Sequence, residues 1–172
     1  NVIPASADCE FCIRADTMKR IEGLIDVIKL CVRNAEQLTG AKADISWGEI
    51  SAERYPNRPM CQAFKDNMET LGIEMKWPDP KAQYGSSDIG NVSIKIPAIH
   101  DYLSITDDKT IQAHTKEYAD AAKSEEAQEI CLKGAKGLAM TGYDILSSDE
   151  FQAEIRRFHE QQIPDFYKEK KS

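Results

Sequence analysis

Thr17-Met18-Lys19-Arg20-Ile21-Glu22-Gly23-Leu24-Ile25-Asp26-Val27-Ile28-Lys29-Leu30-Cys31-Val32 is the stretch on which the fold reading turns. Met18, Ile21, Leu24, Ile25, Ile28, Cys31 and Val32 recur at three- and four-residue steps, which puts one apolar stripe on a helix predicted over 17–38. Thr39-Gly40 supplies the stop, with Gly40 suited to a left-handed C-terminal position. On either side the period changes. Cys9, Phe11 and Ile13 alternate with Asp8, Glu10 and Cys12, and residues 41–47 alternate as well, so a strand is predicted before the helix and another after it. This strand–helix–strand unit makes the chain α/β, and on its own it would be marginal in water.

Beyond it, Glu49 to Pro59 holds two prolines and reads as a crossing segment. A helix follows over 59–71, with Met60, Phe64, Met68 and Leu71 on one side and Gly72 at its end. Trp77-Pro78-Asp79-Pro80 breaks regular structure. Short strands are predicted over 92–99 and 102–105. A long helix follows over 115–146, broken near Ser124, where Glu125 and Glu126 suit a helix start. The last helix begins in Ser147-Ser148-Asp149-Glu150, a capping-box pattern, and buries Phe151, Ile155 and Phe158.

Composition limits the function classes. With 172 residues, a formal net charge of −7 and no basic stripe beyond Lys168, Lys170 and Lys171, nucleic acid is an unfavourable partner. No apolar run approaches the roughly 20 residues that cross a bilayer, and Asn1-Val2-Ile3-Pro4 does not read as a signal peptide. Because the chain opens on Asn1 and not on methionine, residues upstream are expected. The five cysteines, Cys9, Cys12, Cys31, Cys61 and Cys131, are scattered through apolar patterns and are expected to be buried and inert in a reducing cytoplasm. Cys9 and Cys12 spell Cys-x-x-Cys, but on a strand they point to opposite faces, which argues against a shared metal or a redox pair.

The segment Tyr84-Gly85-Ser86-Ser87-Asp88-Ile89-Gly90-Asn91-Val92-Ser93 concentrates small and polar residues. Such a loop offers backbone N–H groups and hydroxyls to a carboxylate or oxyanion. A tight turn whose Ser87 and Asp88 satisfy local backbone groups explains it equally well. His114 stands just before a helix; by itself it reads as an ordinary surface or core histidine, as does His100. His159, among charged residues, is expected to be solvated, and Asp107-Asp108 reads as a turn. Spacing alone establishes no catalysis.

Taken in order, these segments resemble the zinc amidohydrolase family that holds aminoacylase, carboxypeptidase G, succinyl-diaminopimelate desuccinylase and the aminobenzoyl-glutamate hydrolase subunits. The resemblance is carried by Asn1-Val2-Ile3-Pro4 with Phe11-Cys12-Ile13-Arg14, by Gly85-Ser86-Ser87-Asp88-Ile89-Gly90-Asn91-Val92-Ser93 with Pro97-Ala98-Ile99-His100, and by His114-Thr115-Lys116-Glu117-Tyr118 with Ala121-Ala122. It implies the C-terminal half of a small α+β lid (dimerisation) domain over 1–48, then the C-terminal part of an α/β metallohydrolase catalytic domain over 49–172. It also implies hydrolysis of an amide bond in N-acyl amino acids, aminobenzoyl-glutamate-like amides or dipeptides, assisted by a pair of zinc ions (cobalt or manganese as alternatives).

On that resemblance His114 is a metal ligand, Arg14 clamps the substrate carboxylate, and Asn1 contacts the substrate near the scissile bond. Gly85, Ser86 and Ser87 bind a carboxylate, while Asp88 organises their loop. The family's general base and its other ligands match nothing in this chain, so these residues in isolation are expected to be inactive and metal-free. Both halves then lack their N-terminal partners, which leaves strand edges and apolar faces to be covered, so a homodimer, or assembly with an N-terminal portion, is expected. A non-catalytic interaction and dimerisation module of the same descent is the alternative.

Overall fold

The computed structural model describes residues 1–79 and 85–168, and these fall into two units, Asn1–Glu53 and Arg54–Ser172. The described residues are mostly helical with little strand.

The first unit is built on α1, Met18–Thr39, within a residue of the range its periodicity predicts. Gly40 ends it at φ 74°, donating its N–H to the Glu36 carbonyl at 2.8 Å, a left-handed position that a residue without Cβ takes at no steric cost. Glu53 reaches the other end, where its Oε2 accepts the Met18 N–H at 2.9 Å. The flanking segments 7–15 and 41–47, expected as strands, form no ladder among the described residues. A strand exists only through the partner that satisfies its backbone, and no described segment offers one. No residue of α1 is buried, and Leu24, Val27 and Leu30 stand exposed on it.

The cysteines follow the same pattern. Only Cys61 is buried, and Cys9, Cys12, Cys31 and Cys131 are exposed free thiols, because the apolar faces that carry them are uncovered. The expectation of five buried cysteines therefore fails for four of them.

The second unit packs α2 (Arg58–Thr70), α5 (Glu125–Ser147) and α6 (Asp149–Gln162) against one another. The short helices α3 (Ile89–Ser93), α4 (Lys116–Ala121) and α7 (Asp165–Lys168) complete it. Cys61, Phe64 and Met68 turn the i, i+3, i+7 face of α2 inward, with Cys61 in place of the expected Met60. Opposite them α5 presents Gly134, Gly137 and Thr141, all buried. A Cβ on Gly137 would collide with the Met68 sulfur, so this glycine sets how closely the two helices approach. Ile155 from α6, with Ile163 and Tyr167 beyond it, closes the core.

Serine and threonine caps divide the C-terminal half. Thr115, Ser124 and Ser148 accept the N–H groups of Tyr118, Ala127 and Phe151 at 3.2, 3.1 and 3.1 Å. The break near Ser124 is where the sequence places it. The capping box at Ser147 is not formed: Ser148 takes the cap, so Phe151 and not Glu150 occupies the third helical position. The strand expected over 92–99 is also absent. Residues 89–93 are helical, the turn continues through Ile96, and only an isolated parallel bridge joins Ala98 to Pro56. Nor do residues 102–105 form a strand.

Candidate functional site

The serine-rich loop enters α3, and its first hydroxyl contacts are local. Ser87 Oγ accepts the Ile89 N–H at 3.3 Å and lies 3.3 Å from Asp88 Oδ1, while the Gly90 N–H donates to the Ser87 carbonyl at 3.0 Å. Gly85, Ser86 and Asp88 are exposed, and Ser87 is half-buried. Tyr84 lies outside the described residues.

One arginine braces this loop. Arg54 donates to the Gly85 carbonyl at 3.2 Å, to the Tyr102 hydroxyl at 2.8 Å and to His100 Nδ1 at 3.2 Å. A guanidinium only donates, so Nδ1 of His100 is the acceptor and its ring proton sits on Nε2. His100 and Tyr102 stack at 4.9 Å and 27°, with the Arg54 guanidinium 5.7 Å from the Tyr102 ring centre. Behind the loop, Ser93 donates to the Gly90 carbonyl at 2.8 Å and accepts the Tyr55 N–H at 2.9 Å. His159 lies 2.8 Å from the Ser93 carbonyl through Nε2, so it is a half-buried donor and not the solvated residue expected from its charged neighbours. Its partner is a carbonyl 66 positions away in sequence, beyond the reach of local composition.

Beside the brace lies a cavity of about 620 Å³, walled by Arg58, Cys61, Trp77, Asp101 and Phe158 among others. Asp101 Oδ2 itself is buried with no hydrogen-bond partner, and burial raises its carboxyl to about 6. Burial pushes the Cys61 thiol up to about 12, with Asp101 adding to the rise and Arg58 opposing it. The Arg58 guanidinium lies 4.5 Å from the Trp77 ring centre.

The remaining residues singled out in the sequence are dispersed. Asn1 and Arg14 are exposed in the first unit. His114 is exposed in the second, at φ 67°, the one positive-φ residue other than glycine among the described residues. A left-handed backbone at histidine costs energy, and such positions concentrate where function imposes them. Among the described residues no three histidine, cysteine or acidic side chains converge to hold a metal. The residues present therefore do not make a metal centre, and His114 would supply a single ligand. Asp108 behaves as the turn residue expected: Thr110 donates to its carboxylate from N–H and hydroxyl at 2.9 and 2.7 Å, holding the carboxyl below its usual range.

Arg54, Asp101 and Tyr102 were missed in the sequence. A usable signal existed, since His100 and Tyr102 are two apart and share a face on an extended segment.

Comparison with known proteins supplies the class. No family model matches the chain. It is 35% identical over 163 residues to the Xaa-Arg dipeptidase of Mus musculus, an alignment that covers 91% of the chain and 37% of the relative. Against the Xaa-Arg dipeptidase of Homo sapiens identity is 35% over 159 residues, covering 91% of the chain and 36% of the relative. The chain belongs to a peptidase family. It spans little more than a third of the length of these relatives.

Proposed function

We propose that this chain is the C-terminal part of a metal-dependent amidohydrolase that cleaves a peptide or acyl-amino-acid bond beside a free carboxylate. The observation that carries the reading is its 35% identity to two Xaa-Arg dipeptidases across 91% of its length. Dipeptides ending in arginine are accordingly the first substrates to try, with N-acyl amino acids and aminobenzoyl-glutamate next. The loop of Gly85, Ser86 and Ser87 would take the carboxylate, with Asp88 and the Arg54 brace holding it in shape. Arg14 would clamp a carboxylate with its planar fork, and Asn1 would lie near the scissile amide. His114 would donate one ligand to zinc, cobalt or manganese, whose chemistry is to polarise the carbonyl and acidify water. The other ligands and the general base must come from outside these residues, so the chain by itself is inactive on this reading. Its setting is a cytoplasmic enzyme that functions as a homodimer or joined to the rest of its catalytic domain.

A second reading, an interaction and dimerisation module, is favoured by one observation: α1 exposes Leu24, Val27 and Leu30 and buries nothing.

The test is to express the complete reading frame containing this chain and assay leucyl-arginine before and after chelation. Loss of turnover on chelation, recovery with zinc, cobalt or manganese, and a fall of about 100-fold for His114→Ala are expected. Turnover indifferent to both treatments overturns the metal assignment. A frame that encodes only these residues and turns over nothing leaves the interaction module.

A further inference from the structure

We infer that His100 is a further substrate-binding residue of the proposed site, an N–H donor that meets the free carboxylate through Nε2. The inference rests on the reading of Gly85, Ser86 and Ser87 as the loop that takes that carboxylate. Its starting point is Arg54, which donates from Nη2 to the Gly85 carbonyl at 3.2 Å and from Nη1 to His100 Nδ1 at 3.2 Å. Two prongs of one rigid fork therefore hold the imidazole beside the head of the loop.

The same fork decides which ring nitrogen can donate. A guanidinium has donors and no acceptor, so its contact requires the lone pair of Nδ1 and leaves the proton on Nε2. The ring is also kept from turning over, because it stacks on Tyr102 at 4.9 Å and the Tyr102 hydroxyl takes a second bond from Arg54.

Nε2 is the end left unspent. Among the described residues His100 bonds to Arg54 alone. The buried side-chain polar atom that lacks a partner among those residues is Asp101 Oδ2, so Nε2 of His100 is not sealed in the interior and opens to solvent. His100 lines the cavity together with Ile89 and Ser93 of α3, the helix that the serine-rich loop enters. His159 shows the contrasting case: its Nε2 is consumed by the Ser93 carbonyl at 2.8 Å.

The charge on Arg54 favours an anion at that open donor. A cation bonded to Nδ1 draws electron density across the ring and makes Nε2–H a stronger donor, as in any chain of hydrogen bonds polarised one way. Arg54 is itself committed to Gly85, His100 and Tyr102. Its influence on a carboxylate passes through the imidazole.

Kinetics of the complete enzyme on leucyl-arginine test this with two substitutions of different reach. His100→Asn leaves an amide oxygen for Arg54 but no donor at the Nε2 position, whereas His100→Gln returns an N–H there. His100→Asn should raise KM about tenfold with kcat within about twofold, and His100→Gln should recover most of the loss. An unchanged KM in His100→Asn, or equal damage in both variants, overturns the inference. A parent that turns over no dipeptide defeats the reading of the site separately, and nitrogen NMR of the 172-residue chain then decides for His100. A protonated Nε2 whose resonance moves with N-acetyl-L-arginine and not with N-acetyl-L-argininamide is expected. A protonated Nδ1, or a spectrum that does not distinguish the two compounds, overturns it.

Discussion

The side chain of Asn57, 0% exposed, meets two demands at once. Its Oδ1 accepts the Met60 N–H at 3.3 Å to cap α2, and its Nδ2 donates to the Ile155 carbonyl of α6 at 3.0 Å. The backbone N–H of the same residue donates to the Ala98 carbonyl at 2.8 Å, so one position ties a helix start, a second helix and the bridge together. Asn57→Ala removes the cap and takes from the Ile155 carbonyl its buried donor, and a loss of about 2–3 kcal/mol in urea unfolding is expected. Asn57→Asp keeps the capping oxygen but not the donor to Ile155, and should recover little of that loss. Asp101 carries the opposite sign. Its carboxyl titrates near 6 when folded, against 3.8 as the ordinary value, so the burden on the fold is complete above pH 6 and vanishes below about 4. Solvent reaching this part-exposed side chain screens the effect, so Asp101→Asn should stabilise by only about 1 kcal/mol at pH 7.5. At pH 3.5 the two proteins should unfold at the same urea concentration; a gain equal at both pH values would show that ionisation is not the cause.

Among the elements, α5 carries three glycines, and two of them, Gly137 and Gly142, lie in unlike surroundings. A methyl group at Gly137 meets Met68 and Phe64, whereas one at Gly142 meets nothing within 4 Å. Gly137→Ala should therefore destabilise by about 1–3 kcal/mol through overpacking. Gly142→Ala should stabilise by about 0.5–1 kcal/mol through helix propensity alone. Equal effects at the two sites would mean that α2 does not press on Gly137. Sequence conveyed the helices well because their signals are local: period in α1, a proline near the start of α2, and serine at the head of α5. It misplaced the strands because alternation in 7–15 and 41–47 records which side chains would be covered, while a ladder requires a partner backbone. The candidate site divides in the same way. Its serine-rich loop was legible from composition, but the Arg54 brace spans 31 to 48 positions and leaves no mark in any window.

Across the molecule, burial is uneven. The second unit encloses Phe64, Met68, Ile94, Ile155 and Ile163, whereas the first has one long helix without a buried residue. Exposed Leu132, Leu138 and Leu146 add an uncovered apolar row on α5. The described helices include none long and apolar enough to cross a membrane. Patches of this kind associate, and the chain should sediment as more than a monomer at tens of micromolar, with 0.5 M arginine or a mild detergent restoring the monomer. A monomer that persists at that concentration in plain buffer would count against the homodimer.

The helix α1 without a core also has a history in time. Its amides are held by bonds within the helix and, at its start, by the Thr17 carbonyl and the Glu53 carboxylate. Opening one turn uncovers almost nothing that was covered before, so deuterium should enter α1 orders of magnitude faster than it enters α2, where opening must expose Phe64 and Met68. What solvent records along this chain is then a clock with two rates, and whatever molecule comes to lie on α1 should slow the faster one.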